Sequence, residues 1–85
     1  MDILLSKDKL KQRHVEAFFK QMRALNPDGK ITGPERAGTI VRAAAHAGIL
    51  SITEETVDEM APGEVVRMAG EVNKVLAEAL EVPKN

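Results

Sequence analysis

Apolar positions in this chain recur in steps of three and four, the period of an α-helix rather than of a strand. The pattern is cleanest over residues 62–82. There Val65, Ala69, Val72, Leu76 and Ala79 form one stripe, with Glu64, Arg67, Glu71, Lys74, Glu78 and Glu81 opposite. Such a segment is an amphipathic helix with one packing face and one solvated, ion-paired face. A second stripe lies within residues 7–25, where Val15, Phe18, Met22 and Leu25 share a face flanked by Leu10 and Phe19. Lys9, Arg13, Glu16, Lys20 and Arg23 take the other side, and Ser6 stands where an N-cap is expected. Lys7 and Lys11 project from the apolar side, so the first turn is expected to overhang the core or fray.

Between these segments the chain is punctuated by turn residues. Asn26-Pro27-Asp28-Gly29 ends the first helix. Thr32, Pro34 and Glu35 then supply a cap, an N1 proline and the far end of a capping box for a helix over 34–47. Its inner face, Ala37, Ile40, Val41, Ala44 and Ala47, is mostly small, which lets a neighbouring helix approach closely. Gly48 is the expected C′ residue. Thr53 is expected to cap a short acidic helix over 54–60, with Val57 and Met60 turned inward, before Ala61-Pro62-Gly63 breaks the chain again. The pattern predicts a single all-α domain over residues 1–85, a small bundle of three long helices plus one short acidic helix.

Composition narrows the chemistry. At 85 residues with two Phe as its sole aromatics, the chain can build only a thin core. With no Cys, it has neither a disulfide frame nor a thiolate nucleophile. The apolar triplet Ile3, Leu4, Leu5 is too short for a signal peptide or a membrane crossing, so a cytoplasmic, soluble protein is expected. Net charge is −1, but its distribution is uneven: residues 1–50 carry nine Lys/Arg against five Asp/Glu, and residues 51–85 carry three against eight. The two halves can neutralise each other within one chain, or they can meet between copies.

Candidate sites are few. Residues 24–35 place Asn26, Asp28, Thr32 and Glu35 on ligand positions of a calcium-binding EF-hand loop, with Gly29 at the sixth. Ala24 occupies the first ligand position, however, and Pro27, Lys20 and Arg23 oppose cation binding. An ordinary capped turn is the better reading. A helix-turn-helix can be laid over residues 44–57, but the would-be recognition helix carries Glu54, Glu55, Asp58 and Glu59, which repel phosphate. His14 and His46 lack partners at metal-ligand or triad spacing. The chain offers no phosphate-cradling glycine loop. No catalytic residue, cofactor or metal is therefore expected. Gly70, inside the last helix, is unfavourable by about 1 kcal/mol relative to Ala and suggests either a close neighbour or simple tolerance.

The segment Val57-Asp58-Glu59-Met60-Ala61-Pro62-Gly63-Glu64-Val65-Val66, with the helix after it running to Glu81-Val82-Pro83-Lys84-Asn85, resembles small helical proteins of tailed-phage structural gene clusters, the tail assembly chaperones in particular. The resemblance covers the C-terminal third. It implies a non-catalytic protein, working in the host cytoplasm, that binds a long helical tape-measure protein and keeps it soluble. The residues left outside the three main stripes, Leu4, Leu5, Ile49, Leu50, Ile52 and Met60, are the candidate partner-binding patch, unless they close the bottom of the bundle. The expected partner is another helical protein or copies of the same chain, with no membrane. The alternative is a nucleic-acid-associated protein using the basic face Lys9, Arg13, Lys20 and Arg23.

Overall fold

Four helices follow the order that the apolar periodicity predicts: α1 (Gln12–Leu25), α2 (Gly33–Ala47), α3 (Glu54–Glu59) and α4 (Pro62–Ala79). The computed structural model describes residues 4–6, 8–26, 29 and 33–80. The all-α expectation holds: no strand is present among the described residues, and the sole β feature is an isolated antiparallel bridge between Leu4 and Leu50.

The largest departure from the sequence pattern is at the start of α1. A helix from residue 7 with Ser6 as its cap is not what forms. The chain runs extended through Leu4 and Leu5, and the Leu5 amide donates to the Ile49 carbonyl at 2.9 Å. It then turns, with the Lys9 amide donating to the Ser6 carbonyl at 3.0 Å, and becomes helical at Gln12 with Lys11 as N-cap. The physical reason lies in the amphipathic register. Continuing the helix backwards would put the Lys11 ammonium on the face that packs against α2, and a buried unpaired charge is far costlier than one lost helical turn. Backbone pairing with residues 49–50 instead engages Leu4 and Leu5, ahead of the lost turn.

Gly48 ends α2 as predicted, at φ +83°. The Ile49 amide donates to the Ala44 carbonyl at 2.9 Å and the Gly48 amide to the Ala45 carbonyl at 3.3 Å. Together these are the two bonds of a Schellman motif, closed by the apolar pair Ile49 and Ala44, both fully buried. At α3 the Thr53 cap is present, its Oγ1 accepting from the Thr56 amide at 3.2 Å. α3 stops at Glu59, one residue short of the expected Met60, which serves as its C-cap. α4 opens with Pro62 at its first position and ends at Ala79 rather than 82; residues 81 and 82 lie outside the described residues. The same holds for Thr32 and hence for the expected capping box of α2.

α2 is the hub. α1, α3 and α4 each pack on it, and no other pair of helices packs as extensively. Its composition explains why. Val41 and Ala43 sit about 200° apart at 3.6 residues per turn, and both are fully buried, so α2 is covered on opposing sides. Small side chains at Ala37, Gly38, Ala43 and Ala44 allow neighbours to approach without leaving voids. The buried hydroxyl of Thr39 donates to the Glu35 carbonyl at 2.9 Å, so α2 carries no orphaned polar group there. The core is completed by Phe18 from α1, Val57 from α3, Ala69, Val72 and Leu76 from α4, and Ile49 and Leu50 from the α2–α3 connection. The molecule measures 41 × 34 × 20 Å, and its thin dimension is about two helix diameters. Its radius of gyration, 12.6 Å, is close to the ~12 Å expected for a folded chain of this length.

Candidate interaction surfaces

The proposed partner-binding patch resolves into two groups. Ile49 and Leu50 are 0% and 2% exposed, so they belong to the core and not to any surface. The Schellman motif turns Ile49 inward, and the bridge to Leu4 covers Leu50. Leu4 and Ile52 are half-buried against the same core, and Leu5 and Met60 are half-buried at its margin. The structure thus gathers Leu4, Leu5, Ile49 and Leu50 into a seam that closes one end of the bundle. The apolar surface lies elsewhere. Phe19 (42% exposed) and Leu25 on α1, and Val66 and Leu80 at α4, are the large side chains facing solvent among the described residues.

Phe19 is not a loose side chain. Its ring meets the buried ring of Phe18 edge to face, with centroids 5.2 Å apart at 82°. Half-buried Met22 follows three residues on and exposed Leu25 three beyond that. The sequence placed Phe19 at the flank of its stripe and Leu25 within it. The width of the face that α2 covers, which decides their exposure, has no signal in a single helix.

The cations of α1, Arg13, Lys20 and Arg23, lie on the side of the helix away from Met22 and Leu25, with Arg23 nearest to Phe19. Lys9, Arg13, Lys20 and Arg23 are all exposed, and among the described residues none has a carboxylate within ion-pair distance. Lys9 stands in the turn before α1, so the helical basic face consists of Arg13, Lys20 and Arg23. Among the described residues, opposite charges of the two halves meet where α3 lies on α2. There Arg42 Nη2 meets Asp58 Oδ1 at 2.5 Å, and His46 Nε2 meets Glu54 Oε1 at 2.8 Å. Arg42 and His46 are four residues apart, as are Glu54 and Asp58. This matched spacing on successive elements was a readable signal for their antiparallel pairing. Both pairs are solvent-exposed, so each contributes at most about 1 kcal/mol and mainly sets where α3 rests. The ion pairs expected along the polar face of α4 do not form among the described residues.

His14 has a structural task that sequence spacing did not suggest. Its Nδ1 accepts the Lys11 amide at 2.9 Å, the role usually taken by Glu at the third position of a helix. That hydrogen bond requires a lone pair on Nδ1 and so the neutral ring protonated at Nε2. The ring also lies against Gly48. A shallow depression beside α3 is lined by Glu55, Glu59 and Glu64 with Thr53, Thr56 and Met60. The three carboxylates are exposed, and the Thr53 and Thr56 hydroxyls lie 3.1 Å apart within the helix cap. Among the described residues no group of three or more His, Asp or Glu side chains is placed to hold a metal ion. Of the residues in the EF-hand register, Asp28 and Thr32 lie outside the described residues, and Glu35 sits in the first turn of α2. No helix among the described residues is long and apolar enough to cross a membrane. Comparison with family models, with curated proteins and with solved structures finds no match for this chain.

Proposed function

We propose that this chain is a non-catalytic protein–protein interaction module that docks a helical partner on α1, of the tail assembly chaperone type that its C-terminal third resembles. The observation that carries the reading is Phe19, an exposed aromatic braced by a buried one, with half-buried Met22 one turn on and exposed Leu25 at the end of the helix. A rigid aromatic anchor beside a row of aliphatic side chains suits an amphipathic helix laid alongside it. Arg23, about 40° from Phe19 around the helix, with Lys20 beyond it, favours a partner with an acidic flank on that side. The test is capture of a partner from cells by the immobilised chain, compared with Phe19→Asp. The reading requires that capture be lost with this substitution while the helical content of the variant is unchanged. A partner held equally well by the variant contradicts it.

A second reading, nucleic-acid association through Lys9, Arg13, Lys20 and Arg23, has one observation in its favour: these cations are free of intramolecular ion pairs among the described residues. It expects duplex DNA binding whose salt dependence falls by about 0.9 for each phosphate contact removed by alanine. Phe19→Asp would leave that binding largely intact.

A further inference from the structure

Adjacent to the buried stripe of α4 runs a second one that nothing among the described residues covers: Val66, Gly70, Asn73, Ala77 and Leu80, again in steps of four and three. Val66 is 54% and Leu80 50% exposed, and the other three are exposed as well. Gly70 is the informative member. A glycine inside a helix is unfavourable, yet a Cβ built at Gly70 would meet no atom within 4 Å. Among the described residues nothing requires it. We infer that this stripe is a docking seam for α4 of a second copy, the two helices running antiparallel about a twofold axis at Asn73.

Two features choose this occupant and orientation. The first is that the stripe is a palindrome in size. Val66 and Leu80 each stand seven residues from Asn73, with small Gly70 and Ala77 between. An antiparallel copy sets small against small at the crossing, where helices come closest, and large against large where they diverge. The paired Asn73 side chains then fix the register by hydrogen bonding across the axis. The second feature is charge. With Asn73 on the axis, Arg67 lies within one residue of the level of Glu78 on the second copy, and Lys74 within one residue of the level of Glu71. All four lie to the same side of the stripe, Lys74 and Arg67 nearest its edge, and none is ion-paired among the described residues. A parallel copy would instead set Arg67 level with Arg67, which the antiparallel one keeps about 18 Å apart along the axis. Such an isologous contact is small, a single pair of helix faces, so association is concentration-dependent. The seam is separate from the α1 ridge and does not rest on the function proposed for it.

The test is sedimentation velocity on the full chain from micromolar to millimolar concentration. The apparent mass is expected to double. Gly70→Leu, which raises helix propensity and enters open space, should weaken association by about tenfold or more without loss of fold. Arg67→Glu with Lys74→Glu should also weaken it, and adding Glu71→Lys with Glu78→Lys should restore it. Oxidised Asn73→Cys should form a covalent dimer. Val66→Cys should not, its two copies being about 21 Å apart at 1.5 Å per residue. A single-chain mass at every concentration overturns the proposal, as does a dimer indifferent to Gly70→Leu or cross-linked equally well through Val66→Cys. Phe19→Asp leaves the dimer unchanged, so failure of the α1 reading and failure of this one are distinguishable.

Discussion

Two residues in the α2–α3 connection carry a disproportionate share of the fold. Ile49 combines complete burial with the Schellman hydrogen bond to Ala44, so truncating it removes apolar contact at a point the backbone cannot collapse to fill. Ile49→Ala is expected to destabilise the chain by about 2–5 kcal/mol, measurable as a lower urea midpoint. Gly48 contributes through conformation alone. A Cβ there would make only an ordinary contact with His14, at 3.7 Å, but φ +83° is strained for any L side chain. Gly48→Ala is expected to destabilise by about 1–2 kcal/mol, and the same urea titration reads it. The turn role of Gly48 was readable in sequence, because glycine after a periodic segment has a local meaning. The burial of Ile49 and Leu50 was not. Both fell outside every helical stripe, and the Leu4–Leu50 bridge that buries them joins residues far apart in the chain.

Helix boundaries are legible in the sequence where periodicity, cap and breaker agree. The start of α3 at Thr53 and of α4 at Pro62 follow directly from local chemistry. α1 was overextended at its N-terminus because an apolar stripe says which face packs but not where packing ends. Its length, 14 residues, is marginal for an isolated helix, so α1 depends on docking against α2 rather than on propensity. Gly70 offers the cleanest test at this scale. Because its Cβ direction is open in the single chain, Gly70→Ala is expected to stabilise the fold by about 0.5–1 kcal/mol in dilute solution, seen as a raised thermal midpoint. Destabilisation would mean that α4 has a close neighbour even within one chain.

For the whole molecule, the governing fact is that α2 alone gathers the other helices. A thin plate built on one small-residue hub leaves α1 and α4 with covered inner faces and apolar residues on their outer ones. Charge follows the same layout. Acidic α3 is tied to α2 by the Arg42–Asp58 ion pair and the His46–Glu54 contact, while the cations of α1 remain unpaired among the described residues. The candidate surface was hard to read from sequence for that reason. Exposure of Phe19, Leu25, Val66 and Leu80 is decided by how many neighbours each helix has, and helical periodicity is blind to that number. What this chain can bind depends on which of its apolar side chains face water. The most direct test is the broadening of side-chain NMR signals by a soluble paramagnetic agent, at a concentration where the chain is a single copy. Strong broadening is expected at Phe19, Leu25, Val66 and Leu80, with protection at Val41, Ile49, Leu50 and Val72. Broadening of Ile49 and Leu50 together with protection of Phe19 and Val66 would contradict the account and return the binding surface to the end of the bundle.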